Sequence, residues 1–551
     1  MKRNRTVAIE AVIGVSLVMA TTGLSGCGYA QGGGTGVLAS TNVKENTSNG
    51  DPKSYYLAMT GNDSNSGART SPWRTIGHAG KVVAAGDSVH VLPGVYNESV
   101  SLDNSGTPSQ RIRFISDTPW GAKVTGDGSG NPAIQIRKAD YVDIVGFEVT
   151  NMNGYMGIEA LASYSRIVGN LVHDVSGGCK LGRFGLGGAG INLAYGHDVD
   201  VIGNVVHDIG DYLNPHGCET THGIYVENAR SPNVGGYSTR AWNNIIYRNE
   251  SEGITSWHCA TQMALVNNLV FENGKTGIFV GANYRGCLND NSVINNNIVV
   301  HNGWHDFCTF TDTSQCPIGN HSGKGGIQEG GSTGRNNKYS NNLSYQNLYI
   351  GVQDDAIHLS TGTQSNTILG INPQFVNYQP DGTGNYHLLA SSPAVDKGTS
   401  IATPPYDFEN YPRPYGAGYD IGPYEWHPGT AAGAPNSRAN SSLLPSPAEV
   451  PVQKRKNLSG NEDLAKFEGL FVSENRPAKI RIRLESGKLI ATALHEPGQP
   501  SYALVPVSPT RFRLEGAPPD FIAEFYVSGN RVKSLTVERG QLPAVHLVPQ
   551  E

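Results

Sequence analysis

Seven polar side chains in the middle of the chain are of the kinds that move protons or offset developing charge: Glu219, His222, Glu227, His258, Lys275, Arg285 and Lys324. Two reactions match subsets of them. Elimination beside a carboxylate needs a base near the acidic proton and a cation on the carboxylate, parts that His222, Lys324 and Arg285 supply. Hydrolysis of a glycosidic bond needs two flanking carboxylates, and Glu219 with Glu227 is the most economical pair. Interleaved with them are Tyr225, Trp257 and Phe279, whose flat apolar faces stack on a sugar ring. The same trio also suits an apolar strip roofed by loops.

Positioning these groups falls to a repeat. A Gly-Ile pair opens a short strand at Ile158, Ile191, Ile224, Ile254, Ile278 and Ile327. Between the pairs an Asn followed by two mostly aliphatic residues recurs at Asn170, Asn204, Asn244, Asn268, Asn297 and Asn342. Several copies end in a further Asn: Asn249, Asn273, Asn302 and Asn347. A coil of a few short strands cannot bury its apolar side alone, so coils must stack their Ile and Val into one continuous core. Asn at fixed turns tolerates left-handed backbone and hydrogen-bonds to its copy one coil away. The shortest repeat, Ile254 to Ile278, is 24 residues, which suits one solenoid coil.

Alternation along the strand then sorts the side chains. With each Ile inward, the next residue faces out: Glu159, Asn192, Tyr225, Thr255, Phe279 and Gln328. Glu227 and Trp257 lie two positions further, with His258 beside them. These outward residues are the expected substrate-binding strip. Loop lengths suggest its walls. From Asn to the next Ile takes 10 residues in the two shortest copies but 21, 20 and 30 residues before Ile191, Ile224 and Ile327. Long insertions at one edge of a compact repeat are usually functional.

Upstream, Thr75 to Ala84 suits a short helix capping the open core, and the phrase from Gly86 to Tyr96 suits a turn and first strand. That phrase, Gly-Asp-Ser-Val followed by Pro-Gly-Val-Tyr, resembles the pectate-lyase-like right-handed β-helix superfamily. The resemblance runs from about Tyr55 to Trp426 and includes the endings Ser392–Gly398 and Asp420–Glu425. It implies a right-handed parallel β-helix acting on polysaccharide, with calcium as a cofactor common among its members. Asp208 with Asp211, and Asp354 with Asp355, are the nearest features to a calcium site, though neither has ligand spacing. It also tilts the reaction towards a lyase over a glycoside hydrolase. A non-catalytic glycan-binding or cell-envelope protein is the alternative.

The ends add compartment and partners. Lys2, Arg3 and Arg5 precede an apolar stretch, and Leu24-Ser25-Gly26-Cys27 matches a bacterial lipobox. A signal peptide at 1–26, lipidation of Cys27 and a tether at 27–54 are expected, placing the protein lipid-anchored in the cell envelope. Six cysteines remain, an even number that reads as disulfides in an exported chain, with Cys308 and Cys316 the nearest pair. Net charge is −6 without a basic run beyond the first residues, which argues against nucleic acid. The chain is therefore read as all-β: the solenoid at 55–426, a linker rich in Ala, Pro and Ser at 427–458, and a small antiparallel β-domain at 459–551. The last resembles lipocalin-like modules and shows no catalytic cluster.

Overall fold

In the computed structural model of the protein, residues 52–428 and 464–550 are described. The exceptions are 178–186, 213–220, 232–235, 283–287, 304–324, 332, 350–351, 474–476, 496–498, 507–510, 516–520, 529–530 and 540–541. The first of the chain's two compact bodies is a solenoid of three parallel sheets, with eleven, ten and nine strands among the described residues. One coil runs Arg166–Val168, Leu171–Val175 and Gly188–Ala194, one strand in each sheet. The next runs Val199–Ile202, Val205–Ile209 and Thr221–Glu227. Each strand pairs in parallel with its copies one coil before and after. Inside, Ile167, Val172 and Ile191 stack on Val201, Val206 and Ile224, all fully buried.

Two asparagine ladders run up the interior corners. In one, the Nδ2 of Asn170, Asn204, Asn244, Asn268 and Asn297 each donates to the next Oδ1 at 2.9–3.0 Å, ending at Asn342. In the other, Asn249, Asn273 and Asn302 do the same at 2.8–3.0 Å, ending at Asn347. These buried amides carry the hydrogen bonds but not the left-handed backbone. Positive φ falls one residue earlier, at Gly203, Asn243, Asn267, Asn296 and Asn341. The Gly of each Gly-Ile pair is required by close approach. A Cβ on Gly223 would sit 2.6 Å from the Gly253 carbonyl oxygen of the next coil.

The first coil starts earlier than the expected first strand. Ser54–Leu57 pairs in parallel with Ser88–Val91, and the chain then turns at Pro93 so that Gly94–Tyr96 enters a different sheet. A helix, α1 (Ile76–Val82), begins at Thr75, whose side chain accepts from the His78 N–H. Ile76 and Ala79 face the core that it caps. At the other end the three parallel sheets stop at Ile368–Leu369, followed by an antiparallel pair, Phe375–Asn377 with Asn385–Leu388. The chain then folds back over the outer face of the ten-stranded sheet, where Tyr386, Leu388, Phe408, Ile421 and Tyr424 cluster with Val205, Ile245, Leu269, Ile298 and Leu343. The outward Asn267 pins it, donating to the carbonyls of Asp420 at 3.0 Å and Gly422 at 2.8 Å.

The second body is a closed antiparallel barrel of eight strands, from Gly469–Val472 to Leu542–Pro549. Its interior is filled by Phe467, Phe471, Phe512 and Phe525, with ring centroids 4.8–5.7 Å apart. Among the described residues no helix is long and apolar enough to cross a membrane.

Candidate active site

The nine-stranded sheet carries the predicted strip. Its strands are β1 (Val100–Leu102), β2 (Ile134–Arg137), β3 (Met156–Leu161), β4 (Gly188–Ala194), β5 (Thr221–Glu227), β6 (Ile254–Trp257), β7 (Ile278–Ala282), β8 (Ile327–Gly331) and β9 (Ile357–His358). Register aligns the isoleucines inward, so one outward row reads Gln135, Glu159, Asn192, Tyr225, Thr255, Phe279, Gln328 and His358. A second row brings Ala194, Glu227 and Trp257 side by side. Tyr225 and Trp257 thus share a face, as alternation requires.

Their exposures differ. Phe279 is only 8 % exposed, packed against Trp257 with ring centroids 5.4 Å apart, whereas Tyr225 and Trp257 stay half-buried. Two glycines make room for these rings. A Cβ on Gly281 would come within 2.5 Å of the Trp257 ring, and one on Gly330 within 2.4 Å of Phe279.

Glu227 is the most perturbed carboxyl of the strip. Burial pushes it above the ordinary carboxylate range, and the charge of Glu159 adds to that. His258, with Nε2 3.7 Å away, and the nearby amide of Asn192 pull the other way without cancelling the rise. Asn192 is 1 % exposed, and its Nδ2 donates to Glu159 Oε1 at 3.2 Å. The other oxygen of Glu159 accepts from Gln135 Nε2 at 2.5 Å. The buried amide thus holds Glu159 on the face that also carries Glu227.

Beside them lies a second charged group. His222 Nδ1 meets Glu252 Oε2 at 2.9 Å and Thr255 Oγ1 at 3.1 Å, and its ring lies 4.8 Å from that of Tyr225. Burial alone would raise Glu252. The charge of Lys275, with hydrogen bonds from His222 and Ser251, overcomes it and holds the carboxyl at about 2. Glu252 was not among the sequence candidates. The signal for it was present, because it stands two residues before Ile254 as His222 stands two before Ile224.

The structure thus brings together Glu159, Asn192, His222, Tyr225, Glu227, Trp257, His258, Phe279 and Gln328. Gln328 lies further along the outward row, with Oε1 3.4 Å from Thr276 Oγ1. Glu219, Arg285 and Lys324 lie outside the described residues, as do most of the expected wall loops, the lipidation site Cys27 and the Cys308–Cys316 pair. Cys259, adjacent to His258, is disulfide-bonded. Among the described residues no group of three His, Cys, Asp or Glu is placed to hold a metal ion. Of the aspartates considered for calcium, Asp208 pairs with His207 and Arg248, and Asp354 with His358.

Residues 121–298, the heart of this site, match the family described as "Right handed beta helix region". The solenoid is a right-handed parallel β-helix. Residues 59–103 also match a family described as "Protein of unknown function (DUF1565)". Over 103 residues the chain is 28% identical to "Uncharacterized protein YwoF" of Bacillus subtilis (strain 168), a match spanning 18% of this chain and 22% of that relative. Among solved structures, this β-helix is similar to pectate lyase Pel9A, at 17% identity and TM-score 0.44, over 69% of this chain and 97% of that one. It is also similar to the GH136 lacto-N-biosidase of Eubacterium ramulus, at 12% identity and TM-score 0.32, over 58% and 68%.

Proposed function

We propose that this chain is an exported enzyme, anchored in the bacterial cell envelope by a lipid on Cys27, that hydrolyses glycosidic bonds in a polysaccharide held along β3 to β8. The observation that carries this reading is the presence of two carboxyls on one outward face: Glu227, raised by burial and by the charge of Glu159, and Glu159, held by Asn192 Nδ2 at 3.2 Å. A carboxyl whose proton affinity is raised by burial is suited to deliver a proton to a leaving sugar oxygen, and hydrolysis needs a second carboxylate about 5–9.5 Å away. Tyr225 and Trp257 supply the half-exposed aromatic faces on which sugar rings stack. The sequence alone tilted towards a lyase. Two of the three groups behind that reading, Arg285 and Lys324, lie outside the described residues, whereas the two carboxyls stand on the sheet itself.

The test incubates the chain from Gly28 onward with a panel of neutral and uronate-containing polysaccharides, following reducing ends and ultraviolet absorbance together. Reducing ends without absorbance are expected, and Glu227→Gln should lower their release about 10²–10⁴-fold with circular dichroism unchanged. Reducing ends accompanied by new unsaturated ends would replace hydrolysis with a lyase reaction. Binding without any cleavage would replace the enzyme with a glycan-binding protein.

A further inference from the structure

The turns that leave three successive strands of this face repeat one backbone feature. Register aligns Ala194, Glu227 and Trp257, so the residues that follow them, Tyr195, Asn228 and His258, hold equivalent positions on neighbouring coils. All three have left-handed backbone, with φ of 60°, 49° and 59°. Asn suits that conformation because its short amide hydrogen-bonds locally, whereas a bulky aromatic side chain is disfavoured in it. His258 shows what the position offers in return. Its Nε2 lies 3.7 Å from the Glu227 carboxyl of the preceding coil, and its ring centroid is 6.5 Å from that of Tyr225. A side chain leaving this turn can therefore reach back over the outward face.

Tyr195 occupies the same position without a partner for its ring. The other Trp and Tyr residues with left-handed backbone among the described ones are Trp120, Tyr141 and Tyr164, and each is held. The Tyr141 and Tyr164 rings stack at 4.6 Å, and Trp120 Nε1 donates to Gly169 O at 2.9 Å. The Tyr195 side chain makes no hydrogen bond or ring contact among the described residues. It is 73 % exposed, more than any other large apolar side chain described. Its backbone, by contrast, is tied to the site, with the N–H donating to Glu227 O at 3.3 Å. Packing gives no reason for a ring here, and an unfavourable backbone kept without a packing return is a mark of functional sites.

Position supplies the reason. Strands β4, β5 and β6 set Tyr195, Glu227 and Trp257 in that order along the solenoid, each about 4.8 Å from the next at the backbone. The acid thus stands between two aromatic residues, one a coil before it and one a coil after. Ala194 puts only a methyl group beside Glu227, which leaves the approach from the Tyr195 side low. We propose that Tyr195 is a sugar-binding platform, stacking on the pyranose unit that lies on the N-terminal side of Glu227 while Trp257 stacks on one beyond it. A glycan lying along the solenoid would then present the bond between those units to Glu227. The proposal rests on the reading that this face holds polysaccharide, and not on which cleavage follows. The apolar face of a pyranose and the flat face of a tyrosine ring match in shape and polarity whether or not the sugar carries a carboxylate.

The test measures affinity by electrophoresis of the chain from Gly28 onward through gels containing polygalacturonate, alginate, xylan or mannan, a readout that needs no cleavage. In whichever gel retards the wild type, Tyr195→Asn should bind about fivefold to tenfold more weakly, the loss of one stacking contact. The same variant should unfold on heating at or above the wild-type temperature, since Asn suits the left-handed turn. Tyr195→Phe, which keeps the ring face, should bind within about twofold of wild type. Wild-type affinity in Tyr195→Asn overturns the proposal while leaving the polysaccharide reading intact. Weaker binding accompanied by unfolding several degrees earlier assigns the ring to the fold and also overturns it. So does a Tyr195→Phe variant as weak as Tyr195→Asn, because the hydroxyl and not the ring face would then make the contact. A chain retarded by none of the gels removes the polysaccharide reading and this proposal with it.

Discussion

Lys275 sustains a carboxylate that its surroundings would otherwise neutralise. It is 4 % exposed, and its charge is the leading opposing influence on Glu252, itself 6 % exposed and depressed from 4.5 to about 2. A carboxyl depressed in the folded state stabilises the fold above its unfolded value and ceases to do so as pH falls through the folded one. The contribution from Glu252 is thus complete above about pH 4.5 and is lost on acidification towards about 2. Replacing one partner of a buried pair leaves the other charge uncompensated, which costs about 3–5 kcal/mol. Lys275→Met should therefore move the urea transition at neutral pH by that amount, and the gap from wild type should shrink as pH drops below about 4. An equal gap at both pH values would mean that Lys275 acts by packing, through its buried stem, and not by charge.

At the scale of the strand and turn, the asparagine ladders turn a chemical repeat into a rigid frame for the site. Asn268 Oδ1 accepts from the backbone N–H and the Nδ2 of Asn244, while its own Nδ2 donates to Ala241 O and Asn297 Oδ1. Asn268→Ala would remove the shared acceptor of the Asn244 N–H and Nδ2 and the donor to Ala241 O, while Asn297 Oδ1 would keep only the Asn268 N–H. Each unsatisfied buried group costs roughly 1–3 kcal/mol. Asn341, one residue before a ladder position, makes a single exposed bond to Lys397 O. Thermal unfolding should show Asn268→Ala destabilised by at least about 3 kcal/mol and Asn341→Gly, which keeps the left-handed backbone there, by under about 1 kcal/mol. Similar losses at both positions would refute the ladder as the source of rigidity. The frame was legible because a solenoid writes each buried contact into the chain repeatedly: the Gly-Ile and Asn phrases mark the strands and corners, and alternation picks the outward row. The Asn phrase misled only about φ, since the buried amide and the left-handed turn occupy neighbouring residues. The carboxyl pair was not legible. Glu159 and Glu227 are 68 positions apart and share a face only after two coils of 33 residues each have been stacked in register. The pairing by proximity in sequence, Glu219 with Glu227, involves a residue outside the described part of the chain, whereas Glu159 was read only as a substrate-binding residue.

At the scale of the whole chain, the solenoid has three described hydrophobic clusters and the barrel one, with no residue in common. Every described site residue belongs to the solenoid. The barrel closes all eight strands on themselves, which leaves no unpaired edge, and fills its centre with four phenylalanine rings. A closed sheet with a filled interior carries what it needs to fold, whereas a solenoid coil needs its neighbours. Residues 459–551 expressed alone should therefore unfold cooperatively in urea, with a slope of about 1–2 kcal/mol/M. The chain from 28 to 458 should keep its action on polysaccharide within about twofold. A shallow, non-cooperative transition for 459–551 would mean that the barrel depends on the rest of the chain. A large loss of activity in 28–458 would mean that the barrel contributes directly to substrate binding. Either result would transfer part of the function away from the β3–β8 face, where the two carboxyls and the half-exposed aromatics now concentrate it.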